Sequence, residues 1–322
     1  MRVCYQPCLS SASIWECKSM SDLKVGVAGA GVFGNYHAQK AAASARTTLS
    51  GIFDVNAERA EDLAGKFGVR AFTDFKAMLS ESDAVIVAVP ATYHAAMVEE
   101  ALNADRHVLV EKPLALLAKT ARSLAGEAIK RGKVLQVGHQ ERFVAKAMGM
   151  LKIEESPLLL ESVRYSPPSP EGRAGDVSVI WDLMIHDLDL VGCLIEGRFD
   201  GVKARGKKVY SDHLDTAEAE FSYSSGARAI LKASRAADAR ERTMRMVYPS
   251  GEISVDFLTR EVKNTTPFEI KVDISAVLPD PLGMADESFF ASCLGEKNSE
   301  IPGHGAVAAV AMAEAAETIA LV

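Results

Sequence analysis

Apolar and polar positions divide this chain into two stretches of different rhythm. From residue 23 to about residue 138, short unbroken apolar runs alternate with longer amphipathic segments. The runs at 23–28, 48–53, 84–89, 107–110 and 134–137 read as strands. The segments at 62–68, 75–80, 98–104 and 114–131 read as helices. Strands apolar on both faces belong to parallel sheets covered on both sides, so the alternation predicts an α/β domain with a doubly wound parallel sheet. After Gly197 the rhythm shortens. Strands are expected there at 201–210, 216–223, 227–233, 243–248 and 252–257, with hairpin turns at Ser224-Ser225-Gly226 and Pro249-Ser250-Gly251, in addition to an earlier one at 158–165. This predicts an α+β domain with an antiparallel sheet. Segments 287–294 and 306–322 read as helices, and the small residues of the latter suit packing against another surface.

One apolar helix carries a polar stripe. In 179–190, V-I-W-D-L-M-I-H-D-L-D-L, a turn of roughly 100° per residue places Asp182, His186 and Asp189 in one narrow arc. A helix apolar nearly all round is buried, so the stripe must face a partner or a cavity. Asp182 and His186 are four residues apart and could hydrogen-bond, which would orient the imidazole and raise its basicity. That arrangement makes a proton acceptor for an alcohol. A helix-start aspartate beside a satisfied core histidine is the other reading of the same residues.

The first strand runs directly into Gly29-Ala30-Gly31-Val32-Phe33-Gly34, a G-x-G-x-x-G between a strand and a helix. The first glycine permits the tight turn, the second lets backbone approach a pyrophosphate, and the third allows close helix–strand packing. Asp54 closes the next strand. A carboxylate there accepts hydrogen bonds from the adenine-ribose hydroxyls and repels a 2′-phosphate, which predicts NAD, with Arg59 near enough to keep NADP open. Pro90 and His94 follow the strand at 84–89, and Glu111-Lys112-Pro113 follow the strand at 107–110. Both groups lie beyond carboxyl ends of strands, where open α/β sheets bind ligands. His94 reads as a border of the cofactor cleft, and Lys112 as a side chain aimed into it unless it is merely solvated.

Composition narrows the partners. The 322 residues suffice for two domains, and 48% hydrophobic and 25% charged residues describe an ordinary globular protein. A formal net charge of −7 speaks against nucleic acid as a partner. No apolar run approaches the roughly 18 residues of a transmembrane helix, so no membrane partner is expected. Five cysteines without C-x-x-C spacing fit a reducing, cytoplasmic setting and offer no metal site. Cys4, Cys8 and Cys17 fall in a polar leader, 1–20. Met20 directly precedes S-D-L-K-V-G-V-A-G and is the better start, so the leader is expected to be dispensable. The remaining divisions are 21–140 for the dinucleotide-binding domain, 141–303 for a substrate and oligomerisation domain, and 304–322 for a terminal helix.

Together, and in this order, G-A-G-V-F-G, V-A-V-P-A-T-Y-H, E-K-P-L-A, V-G-H-Q-E-R-F and W-D-L-M-I-H-D-L-D-L resemble the Gfo/Idh/MocA family of NAD(P)-dependent oxidoreductases from about Leu23 onward. The resemblance implies an N-terminal Rossmann domain and a second domain with an open, mainly antiparallel sheet. It also implies a C-terminal helix returning to the first domain and assembly into a homodimer or homotetramer. The family's catalytic lysine and Asp/His pair fall on Lys112, Asp182 and His186, flanking the carbon that exchanges hydride with nicotinamide. The contacts carried over for the cofactor are Gly29, Gly31, Val32, Phe33, Gly34, Asp54, Pro90, His94, Glu111 and Lys112; those for the substrate are Lys112, Arg142, Arg164, Asp182 and His186. Arg142, Arg164 and Arg173 are candidates to hold a diphosphate. Within the family the pattern is most similar to the branch that oxidises the 3-hydroxyl of UDP-N-acetylglucosamine, whose product would suit an aminotransferase acting next. That branch usually carries asparagine after G-H-x-E-R-F, where this chain has Val144. A dehydrogenase of inositol or a free sugar, and a catalytically silent NAD-binding sensor, are the rival expectations. The sensor would be expected to have lost Lys112 or the Asp182/His186 pair.

Overall fold

The structure is a computed structural model that describes residues 22–168 and 175–321. The leader and Arg173 lie outside the described residues. The first lobe alternates β1 (Leu23–Ala28), α1 (Val32–Ala43), β2 (Thr47–Phe53), α2 (Ala57–Phe67), β3 (Arg70–Phe72), α3 (Phe75–Ser80), β4 (Ala84–Val87), α4 (His94–Asn103), β5 (His107–Val110), α5 (Ala118–Lys130) and β6 (Leu135–Val137). Its six strands are parallel in the order β3-β2-β1-β4-β5-β6. The order reverses between β1 and β4, which opens a crevice at the carboxyl ends of the strands. All four residues of β4 are buried, as their unbroken apolar run requires. Strand β3 was not among the expected strands; its three residues on the sheet edge are too few to show a period.

The second lobe begins with α6 (Glu141–Met148), also unexpected, and β7 (Leu159–Tyr165). A π-helical turn, Ile180–Met184, then continues as α7 (Ile185–Leu194). Strands β8 (Phe199–Lys207), β9 (Thr216–Tyr223), β10 (Arg228–Ser234), β11 (Glu241–Tyr248), β12 (Gly251–Asp256) and β13 (Val262–Asn264) complete an open seven-stranded sheet in the order β13-β12-β11-β7-β10-β9-β8. Every pairing is antiparallel except that of β7 with β10. Strand β9 alternates buried and half-buried residues, the pattern of a sheet with one covered face.

Helix α8 (Pro281–Cys293) and helix α9 (Val307–Ala320) tie the lobes together. The sequence division 141–303 places α8 in the second lobe; in the structure it packs on α6 of that lobe and also on α1 and β5 of the first. Phe289 and Phe290, both fully buried, fill the same apolar cluster as Val25, Val27 and Ile52. Helix α9 packs on α7 and β8 and also reaches α5, where Glu314 accepts the Ala118 N–H at 2.7 Å.

Candidate active site

The glycine loop after β1 has the shape of a dinucleotide cradle. Gly29 sits at φ +103°, where a side chain would be strained, and a Cβ on Gly34 would lie 1.7 Å from the Gly29 carbonyl oxygen. A Cβ on Gly31 would meet nothing within 4 Å, so the backbone there faces open space. Asp54 Oδ2 accepts the Ala30 N–H at 2.8 Å and Oδ1 accepts the Asn56 N–H at 2.9 Å, which locks the carboxylate against the loop. Val32, Phe33 and Tyr36, at the start of α1, are 39%, 46% and 45% exposed. An open glycine backbone, the first N–H groups of α1 and a fixed carboxylate together suit NAD: pyrophosphate on the loop, ribose hydroxyls on Asp54.

Lys112, at the carboxyl end of β5, reaches the second lobe. Its Nζ donates to the Asp182 carbonyl at 2.7 Å and to Asp182 Oδ1 at 3.2 Å. The expected Asp182–His186 hydrogen bond is absent. The cause is the π-turn: the Ile185 N–H bonds back five residues to Ile180, so positions four apart no longer stack on one face. Asp182 turns to Lys112 instead, and the buried His186 Nδ1 has no partner among the described residues. Burial lowers the His186 pKa well below its usual value, and the charges of Lys112 and Arg164 lower it further. The ring is neutral at pH 7, the state a proton acceptor needs.

The other sequence candidates divide sharply. His94 is buried between the Pro113 carbonyl (Nδ1, 2.7 Å) and the Val89 carbonyl (Nε2, 2.9 Å), so it braces the turns beyond β4 and β5. Pro90 is exposed at the start of the turn that carries Ala91–Tyr93. Glu111 is not a cleft residue: its carboxylate is turned inward, accepting from His37 Nε2 at 3.1 Å and Gln140 Nε2 at 3.4 Å. Neither Arg142 nor Arg164 is available to a diphosphate. Arg142 grips Asp189 through Nε at 2.6 Å and Nη2 at 2.5 Å, and also donates to the Gly305 carbonyl. Arg164, 3% exposed, is bidentate on Asp187 and bonds Glu141. Asp187 and Asp189 are buried on α7, and a buried carboxylate requires a cation; the sequence shows the charges but not that pairing.

Several residues were missed. His37 on α1 lies between Glu111 and Asp286 of α8, with Nδ1 2.9 Å from Asp286 Oδ2. Burial opposes a charge on His37, but the two carboxylates outweigh it and push its pKa up to about 10. Beside them His139 is fully buried, neither ring nitrogen has a hydrogen-bond partner among the described residues, and its Nε2 stands 3.6 Å from Asp189 Oδ1. His139 lies within V-G-H-Q-E-R-F, so a sequence signal existed; for Asp286 there was none.

Among the described residues no helix is long and apolar enough to cross a membrane. Residues 23–139 match the oxidoreductase family with an NAD-binding Rossmann fold, and residues 162–254 match the GFO/IDH/MocA C-terminal domain. The chain is 40% identical over 241 residues to a UDP-N-acetylglucosamine 3-dehydrogenase of Acidithiobacillus ferrooxidans, covering 74% of this chain and 75% of that one. A solved structure of UDP-N-acetylglucosamine 3-dehydrogenase from that organism superposes with a TM-score of 0.81 at 34% identity, over 93% of this chain and 98% of that chain. The WlbA dehydrogenase of Bordetella pertussis, solved with NADH and UDP-GlcNAcA, shares the fold with a TM-score of 0.83 at 19% identity, over 93% of this chain and 96% of that one. The chain belongs to the Gfo/Idh/MocA family of NAD-binding oxidoreductases.

Proposed function

We propose that the protein oxidises the 3-hydroxyl of UDP-N-acetylglucosamine, or of a closely related UDP-sugar, to the ketone. The observation that carries this reading is the Lys112–Asp182 bond across the crevice, with neutral His186 one turn beyond and the dinucleotide cradle on the same side of the sheet. The named relative of A. ferrooxidans, 40% identical, supports the substrate. Bound NAD supplies the hydride acceptor. His186 takes the hydroxyl proton, and Lys112 donates a hydrogen bond to the same oxygen as its negative charge grows. Asp182 fixes the ammonium through two oxygens, so little reorganisation is left for the reaction itself. Binding energy from the remote nucleotide orients an otherwise ordinary secondary alcohol. The same reading places the reaction in the cytoplasm, in a homodimer or homotetramer, with an aminotransferase consuming the ketone.

The test is purified protein with NAD and a panel of UDP-sugars, free sugars and inositol, with the ketone trapped, followed by reduced-nicotinamide absorbance. Lys112→Ala and His186→Ala should fold and bind NAD while kcat falls by roughly 10²–10⁴-fold each. Turnover of inositol or glucose with none of any UDP-sugar would overturn the substrate.

A further inference from the structure

With Arg142 and Arg164 paired to carboxylates inside the protein, the nucleotide of a UDP-sugar needs another surface among the described residues. The expected strand at 201–210 ends early, at Lys207. Beyond it the N–H groups of Val209, Tyr210 and Ser211 all donate to Asp215 Oδ2, at 2.7, 2.9 and 3.1 Å. A carboxylate that takes three successive N–H groups removes them from the sheet ladder, which is why the strand stops. Asp215 is fully buried and accepts from Arg235 Nε at 2.9 Å. Arg235 Nη1 in turn donates to the Val177 carbonyl at 3.0 Å, and the Val179 N–H donates to the Leu214 carbonyl at 2.8 Å. The loop is therefore bolted to the residues that open the π-turn carrying Asp182.

Tyr210 stands on this loop with 51% of its surface exposed, yet it is not loose: its hydroxyl donates to the Arg235 carbonyl at 2.7 Å. Burial raises its phenol pKa, with Arg235 opposing the rise and the carboxylates of Asp215 and Asp182 adding to it. A fixed, exposed aromatic face has already lost the rotamer freedom that stacking would cost it. Lys207 and Lys208 precede it, exposed and in no ion pair among the described residues. On the first lobe, the Thr92 N–H meets Asp176 Oδ2 at 3.5 Å, which brings the turn bearing exposed Tyr93 to the same region.

We propose that the 208–213 loop is the nucleotide-recognising wall of the site and that Tyr210 is the plate on which the pyrimidine base stacks. This rests on the UDP-sugar reading above. Stacking of a base on an aromatic ring is worth about 1–3 kcal/mol, or roughly 5- to 150-fold in affinity. Tyr210→Ala should therefore raise KM for UDP-N-acetylglucosamine, and the inhibition constant of UMP, by the same factor in that range. Its kcat should stay within about threefold, and the Kd for NAD should not move. Tyr210→Phe keeps the ring and should restore both constants to within about threefold of wild type. UMP binding unchanged in Tyr210→Ala, in an enzyme that turns over UDP-N-acetylglucosamine, overturns the plate and leaves the substrate standing. Tyr210→Phe as impaired as Tyr210→Ala, with a lowered Tm, makes the residue a loop anchor and also overturns it. Wild-type protein that binds no uridine nucleotide overturns the substrate reading and the plate together.

Discussion

His186 is a neutral imidazole surrounded by cations, and this fixes how the enzyme should respond to acid. Burial comes first in lowering its pKa, with Lys112 and Arg164 adding to the effect. A proton acceptor of that kind is in its working form throughout the neutral range and is lost only as pH falls below the usual histidine value of about 6.5. The profile of kcat/KM against pH should accordingly stay level from pH 7 downward past 6.5, with its acid limb beyond. A limb at or above 6.5 would contradict the assignment of the base. Lys112, Asp182 and His186, the groups proposed for catalysis, were picked out in the sequence by the family resemblance and by their residue types, and the structure brings Lys112 and Asp182 into contact. Their pairing could not be read, because it depends on one extra residue in a helical turn, which changes no composition and little periodicity. The arginines failed for a different reason: their partners, Asp187 and Asp189, sit on α7 itself, and nothing in the sequence distinguishes a solvated arginine from one that answers a buried carboxylate.

Among the elements, the turn from β1 to α1 was legible almost to the atom, since only glycine meets its requirements at two positions for two separate reasons. The reasons can be separated by experiment. Gly34→Ala drives a methyl group into the Gly29 carbonyl and should lower the Tm as well as abolish NAD binding. Gly31→Ala meets no protein atom, so the Tm should hold while NAD binding weakens by an order of magnitude or more. Equal losses of Tm in the two variants would mean that the loop is not open at Gly31. The strand ending at Lys207 was overrun for the opposite reason. Val209 and Tyr210 extend its strand-forming composition, and a carboxylate six and five residues further on, Asp215, withdraws their N–H groups from the ladder.

Across the whole molecule, His37 joins a helix of the cofactor cradle, the strand end that carries Lys112, and α8 from far along the chain. Its folded pKa of about 10 lies above the unfolded value near 6.5. The stabilisation is therefore complete below pH 6.5 and is lost as pH rises through about 10. His37→Leu leaves two buried carboxylates without their cation, at a cost of about 3–5 kcal/mol, and should lower the Tm by several degrees at pH 7. A second change, Asp286→Leu, should recover part of that loss in thermal melts, and no recovery would argue against the charged triad. The two-lobed plan was visible in the change of rhythm near Gly138. The return of α8 was not, because a helix with apolar residues on most sides shows that it is buried but not by what. The second sheet has a related property in β7, which lies at its centre although it comes first in the chain. Its ladder partners, Arg228–Ser234 on one side and Glu241–Tyr248 on the other, leave the ribosome much later. During synthesis β7 is a strand with two unsatisfied edges, so a chain arrested after β9 would present a ready template for pairing with a neighbouring nascent chain.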